Sequence, residues 1–411
     1  MIMKPTPYTA SISGLLTMFL LLLSLAGCQT GTKVVEKPRE LSFWPPAPDE
    51  PRIQFLTAYN TSADVAAAQS KMDEVMYGKP QVLPIVKPYG VAMWQGKIYV
   101  CDMRNPGITV LDLRQHIVKA VGVGGTMEIT RATDVAISPD GLKYIVDRGN
   151  RAIVVLDAED HTVSRFTPKD FDPVSVAVYG DELFVADYTG QTVKVLNRAT
   201  GRYLRSIGEA GRGDGQFVRP LTVRLDPSGI LFVSDVLTCR VQRFTRDGKF
   251  LSVFGQVGNL PGDLVRPKHF SFDKNDYLYI ADGGFSNVQI FDEHQKVVCY
   301  FGSTGAHPGA MDLPVGVYVD ENPEDLAIFK QYVSPAFKAE RLILVTNQFG
   351  KQRVSVYAGG RLMPGKTLAD IAVSRAKVLP GTMEPTTNPT TLPTFMSPEE
   401  PASQTPATAP R

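Results

Sequence analysis

The 411-residue sequence is poor in the side chains that build metal centres, with five His and four Cys. A catalytic zinc needs three protein ligands held together, and no C-x-x-C pair occurs. That excludes a zinc ribbon, a dithiol redox motif and covalent attachment of c-type haem. Charge of one sign is also missing. Forty-three Lys and Arg stand against 42 Asp and Glu, for a formal net charge of +1. No whole-chain basic field exists to hold nucleic acid. The motifs G-x-x-x-x-G-K-[ST], G-x-S-x-G and H-E-x-x-H are absent, which removes the best-marked phosphate, serine-nucleophile and zinc-protease sites. Gly122-Val123-Gly124-Gly125 reads as a turn. Thirty-one Pro and 35 Gly argue against a helical bundle, because both disfavour helix interiors.

What is present begins with an address. Lys4 is the only charge before an apolar run over 15–25. The run is short for a bilayer span and fits the apolar core of a signal peptide. It ends in Leu25-Ala26-Gly27-Cys28, which resembles the lipobox of bacterial lipoproteins. The resemblance implies cleavage before Cys28, acylation of that residue and anchoring in a membrane of the cell envelope by two or three acyl chains. Gln29, where an Asp would retain the protein at the inner membrane of enteric bacteria, implies the outer membrane if the cell is Gram-negative. With Cys28 lipidated, Cys101, Cys239 and Cys299 remain, an odd number that cannot form a full disulfide framework.

The chain divides into a signal peptide (1–27), a Pro-rich tether (28–50), a body (51–362), a short helix (363–379) and a Pro/Thr-rich tail (380–411). The tether should be extended, and the tail has little to bury and should be disordered. A further short helix is expected over 62–77.

The body is a repeat. Pro173, Pro220, Pro267 and Pro314 follow one another at 47-residue intervals, with Pro88 two units earlier and Ala132 between. A short alternating strand follows each. The next strand closes on Asp102, Asp147, Asp187, Asp235, Asp282 or Asn347, and ten residues later a third strand ends in every unit. Asp140-Gly141, Ser228-Gly229, Thr200-Gly201 and Asp247-Gly248 supply turns between β-rich runs. Each unit reads as a four-stranded antiparallel meander. Six such units stacked around an axis make an all-β, six-bladed propeller.

Residues 207–220 (IGEAGRGDGQFVRP), followed by Phe232-Val233-Ser234-Asp235 and Arg240-Val241-Gln242-Arg243-Phe244, resemble an NHL repeat. The pattern runs through about 88–361 and implies an NHL propeller. The last unit stops after three strands, while Arg52-Ile53-Gln54-Phe55-Leu56-Thr57-Ala58-Tyr59 resembles an outer strand and is expected to complete it. The last unit also carries an insertion. Asn322-Pro323-Glu324-Asp325 is a helix start with an Asn cap and Pro at the first position. The inserted helix is either a packing flap or a docking element.

Strand direction puts the inter-blade loops and the second-to-third-strand loops on one face, the top. The channel there should be lined by Gly90, Asp134, Ser175, Thr222, His269 and Gly316. NHL-related lyases hold zinc with several His near this channel, and lactonase-like propellers hold calcium with acids and amides. Only His269 and Asp134 suit such catalytic roles, so the resemblance implies no cofactor unless those two serve a lyase or lactonase. The repeated Asp residues are expected to be structural, accepting backbone N–H groups. The residue before each opening Pro (or Ala132) is basic in four of six units: Lys87, Arg131, Arg219 and Arg266. Lys268 adjoins this set, and Arg104 and Arg148 occupy top loops. They are expected to bind an acidic partner, unless each pairs with a nearby Asp. Envelope NHL lipoproteins with a Trp-Pro-Pro tether resemble those that accompany multihaem cytochromes. That implies a monomeric scaffold for an envelope protein, with no nucleic acid involved.

Overall fold

The computed structural model describes residues 41–66, 72, 75–76 and 81–371. The chain divides into 1–39, outside the described residues together with Cys28, and a unit beginning at Glu40. The tail over 380–411 is likewise outside them.

Alternating β-branched and aromatic residues fold into six four-stranded antiparallel sheets, arranged as the blades of a propeller. The innermost strands are Pro88–Trp94, Ala132–Ile137, Pro173–Tyr179, Pro220–Leu225, Pro267–Phe272 and Pro314–Asp320. Proline is tolerated at the first residue of a strand, where no ladder donor is needed. After this first residue, Pro in five blades and Ala132 in the other, the register slips in all six. Bulges of this kind re-aim the side chains that follow.

The core is divided among the blade interfaces. Six apolar clusters occur, one between each pair of neighbouring blades. Tyr99, Val110 and Ile129 of blade 1 face Val135, Ile145 and Val154 of blade 2, for example. Each sheet is therefore buried on both faces, and no single blade is stable without its neighbours.

Blade 6 closes the ring with chain from both ends of the body. Ile53–Tyr59 pairs antiparallel with Val354–Leu362 from Ile53↔Gly359 to Tyr59↔Val354. Its side chains serve two interfaces: Ile53 and Phe55 pack toward blade 5, Leu56 and Tyr59 toward blade 1. The tether expected to be extended up to residue 50 docks earlier. Phe43–Trp44 adds a fifth strand against Gln54 and Ile53, and Trp44 packs on Tyr357 at 5.9 Å. Of the helix expected over 62–77, Ser62–Asp64 is a single 3-10 turn, Met72, Val75 and Met76 are helical, and the rest lies outside the described residues. Of the helix placed at 363–379, residues 368–371 are helical and those beyond lie outside the described residues.

The insertion in blade 6 forms the helix Pro323–Ile328, with the Asn322 side chain accepting the N–H of Glu324 at 2.9 Å. Phe329 is buried, so the segment packs as a flap against blades 6 and 1. Asp325, which the first-turn pattern would leave facing solvent, is buried 3.5 Å from Arg114 of blade 1.

Blades 1 and 2 are joined by a buried ionic knot. Asp160 accepts from Lys97 (3.0 Å), Lys119 (3.1 Å), Lys143 (3.0 Å) and the Tyr99 hydroxyl (2.7 Å). Lys143 is wholly buried and also donates to the Asp157 and Ala158 carbonyls. Burial alone would raise the Asp160 pKa, but bonds from Tyr99 and the three lysines outweigh it and hold the carboxyl well below its usual range. Stability from this group is therefore present above about pH 4 and lost on acidification. Asp160→Ala leaves the Lys143 ammonium buried without its anion, and about 3–5 kcal/mol of stability should be lost. Denaturant melts at pH 7 and pH 3 read both effects: the deficit of the variant should be large at pH 7 and shrink at pH 3.

Candidate functional site

The top face is organised by the repeated aspartates. Asp102 accepts the backbone N–H groups of Val86, Lys87 and Arg104. Asp235 accepts those of Val218, Arg219, Leu237 and Thr238. Asp282 does the same for Val265, Arg266, Gly284 and Phe285. Asp147 takes Thr130, Arg131 and Gly149, and Asp187 takes Asp172 and Gly190. Each carboxylate thus ties the inter-blade loop before it to the second-to-third-strand turn after it. A second bond repeats in all six blades: the residue after the Asp or Asn donates to the carbonyl of the residue before the inner strand, as Met103 does to Lys87 and Gln348 to Leu313. In blade 6 Asn347 cannot match the carboxylate, and its amide donates instead to the Gln352 carbonyl.

Beneath this face the channel is plugged. Gly90, Asp134, Ser175, Thr222, His269 and Gly316 are all buried. Asp134 of blade 2 receives a two-pronged ion pair from Arg224 of blade 4, both contacts at 2.9 Å. It also accepts the Ser175 hydroxyl at 2.6 Å and the Val176 N–H at 3.1 Å. His269 of blade 5 stands across the axis, with Nδ1 3.6 Å from the Asp134 carboxylate. Burial would raise the Asp134 pKa, but Arg224, with His269 and Ser175, holds it below the usual carboxylate range. Burial drives His269 the other way, down to about 4, with Arg224 and Lys268 adding to the effect against Asp134. At neutral pH the plug holds an ionised Asp, a charged Arg and a neutral His. Sequence reading missed Arg224. The available signal was its strand alternation with Thr222, which puts both on one side of the inner strand.

A catalytic metal does not fit here. The oxygens of Asp134 already accept from Arg224, Ser175 and Val176, a cation would sit against the Arg224 guanidinium, and His269 offers one free nitrogen. No group of three His, Cys, Asp or Glu side chains suited to a metal converges among the described residues. His269 and Asp134 are thus brought together, but inside the structure rather than at an open mouth.

The basic residues lie above the plug. Arg104, Arg131 and Arg266 are exposed, and Lys87, Arg148, Arg219 and Lys268 are half-buried. Arg148 pairs with Asp172 at 3.1 Å. None of the other six forms an ion pair among the described residues, so acid pairing accounts for one residue in seven. Tyr188 lies between two guanidinium groups, Arg148 at 4.8 Å and Arg219 at 5.1 Å from its ring centre. Contacts of this kind hold an arginine in place without neutralising it. Two large clefts, of about 500 and 590 Å³, lie elsewhere, along the outer side of blades 5 and 6.

No protein-family model matches the chain, and no curated protein matches it by sequence. Among solved structures, a protein of unknown function from Bacteroides thetaiotaomicron superposes with a TM-score of 0.53 at 12% identity, over 78% of this chain and 76% of that one. An auxiliary nutrient binding protein from the same organism gives 0.50 at 13% identity, over 67% and 69%. A gluconolactonase from Xanthomonas campestris gives 0.48 at 14% identity, over 75% and 97%. At these identities the first two likenesses bear on the fold alone.

The plug makes a prediction. Arg224→Met leaves Asp134 buried without its cation, and about 3–5 kcal/mol of stability should be lost. It also removes one of the charges that hold His269 neutral. The His269 ring resonances, followed by NMR, should titrate near pH 4 in the native protein and distinctly higher in the variant.

Proposed function

We propose that the protein is a cell-envelope scaffold, a lipid-anchored propeller whose top face docks an acidic partner protein. One observation carries this reading: six basic side chains without acid partners cluster on a face whose backbone is fixed by five aspartate clamps. Such a surface exerts a strong local field on a nearly neutral molecule, and its main effects are on encounter rate and orientation. The Cys28 lipobox supports the anchor. The NHL-like repeat and the Trp-Pro-Pro segment favour a partner within an extracytoplasmic electron-transfer assembly such as a multihaem cytochrome complex. The alternative, a metal-dependent lyase or lactonase working through His269 and Asp134, draws less support, because both side chains are buried and Asp134 is neutralised by Arg224.

Crosslinking in native membranes, followed by detergent purification and mass spectrometry, tests the reading. An envelope protein should be recovered reproducibly, with crosslinks at Lys87 or Lys268. The double charge reversal Arg219→Glu, Arg266→Glu should cut its recovery at least fivefold, and added salt should do the same. A clean monomer, or recovery indifferent to charge reversal, would sink the proposal.

A further inference from the structure

Three basic groups from two blades lie close enough at the channel mouth to act on one another, with the Asp282 carboxylate beside them. Lys268 and Arg266 come from blade 5 and Lys87 from blade 1. These blades are not neighbours in the ring. They meet because blade 6, which lies between them, contributes glycine at this level: a Cβ on Gly316 would fall 2.2 Å from the Tyr89 carbonyl. With that space free, the Tyr89 ring reaches the edge of His269 at 5.2 Å between centres. The Thr346 hydroxyl, also of blade 6, bonds the Tyr89 carbonyl and fixes the approach. Tyr89 thus meets the neutral His269 edge to face, and Lys87 and Lys268 stand beside these two residues in the chain. The Tyr89 hydroxyl makes no hydrogen bond among the described residues. Burial raises its pKa to about 12, with Arg148 pulling against that shift, so it remains a donor.

We infer that this mouth is a receptor for a single carboxylate, presented by an acidic side chain of the partner protein and held by Lys268 and Lys87. The inference rests on the scaffold reading and names the contact at its centre. The surroundings specify charge as well as shape. Around Lys268 stand Arg266 and Lys87 as like charges, and Asp282 as the single nearby acid. The oxygens of Asp282 are already engaged by the backbone N–H groups of its clamp. Asp134 below is paired with Arg224, and Asp172 beside Tyr188 is paired with Arg148. Asp282 offsets part of the charge, and the three cations leave the mouth net positive.

The same environment makes binding proton-linked. Burial, then Arg266 and Lys87, lower the Lys268 pKa to about 8, against Asp282. A carboxylate beside the ammonium favours its charged form and raises that pKa. Below pH 8 the proton is already in place and affinity should be flat. Above pH 8 binding must take up a proton, so affinity falls by up to tenfold per pH unit.

The test uses the full chain and an N-acetylated, C-amidated hexaglutamate peptide, titrated by calorimetry from pH 6.5 to 9.5. Binding should weaken about tenfold between pH 7 and 9. Lys268→Met should lose at least tenfold at pH 7 and show no such pH dependence. Lys268→Arg should bind at pH 7 and also lose the pH dependence, which separates a missing charge from a damaged fold. Thermal melting confirms that both variants are folded. A Lys268→Met variant that binds with the native affinity and pH profile overturns the inference and leaves the scaffold reading intact. No binding to the native chain at any pH overturns both. Succinate binding as tightly as the peptide overturns the assignment to a protein side chain in favour of a small acid.

Discussion

The aspartate that ends the second strand in five of the six blades is the interaction on which the top face depends. A carboxylate buried among backbone N–H groups accepts several charge-assisted hydrogen bonds, stronger than neutral ones. Here each carboxylate joins two loops that are remote in sequence but adjacent in space. Beyond the short parallel pair of Glu209–Ala210 with Gln216–Phe217 before blade 4, the loops carry little regular structure to hold them. With their backbones fixed, the side chains just before each inner strand leave the molecule at set positions. The same residues that look catalytic in a motif scan are therefore the frame, and the functional candidates are what the frame displays.

The plug below performs a related service at the axis. A propeller axis brings six inner strands together, and any polar group there must find a partner or remain costly. Asp134, Arg224 and Ser175 satisfy one another across blades 2, 3 and 4, while His269 stays neutral opposite them. The result is a closed floor beneath an open, positively charged mouth. Both glycines of the lining, Gly90 and Gly316, sit where a side chain would strike the backbone of the adjacent blade. Small residues at two of six positions let the remaining four meet.

Much of the architecture was legible in the sequence because it repeats. The 47-residue interval, the opening proline and the closing aspartate recur often enough to define blades without knowledge of any contact. The features that escaped notice are pairings across blades. Arg224 lies 90 residues from Asp134, and Asp160 gathers lysines from positions 97, 119 and 143. No spacing rule links such residues, since their distance depends on the rotation between blades. Asp325 escaped for a different reason. An acid in a first helical turn usually meets solvent, but this helix lies down against blade 1 and buries it. The basic residues before the inner strands were visible as a pattern, whereas their freedom from ion pairs was a property of the folded surface alone.

Ring closure by the strand Ile53–Tyr59 has a consequence for how the chain reaches this state. Its partners, Val354–Leu362, lie about 300 residues further along. During synthesis or export from the N-terminus, this strand emerges among the first ordered segments and must wait for the last. Blades 1 to 5 each complete their sheets from local hairpins, at low sequence separation. The final pairing closes a loop that spans nearly the whole body, and contacts of that separation form late. Until then both edges of the unfinished blade, and the apolar faces of blades 5 and 1 that it covers, remain open to other chains. The interval between the arrival of the first strand and the last is thus the period in which the molecule is most exposed to mispairing, and a holding chaperone would act to best effect within it.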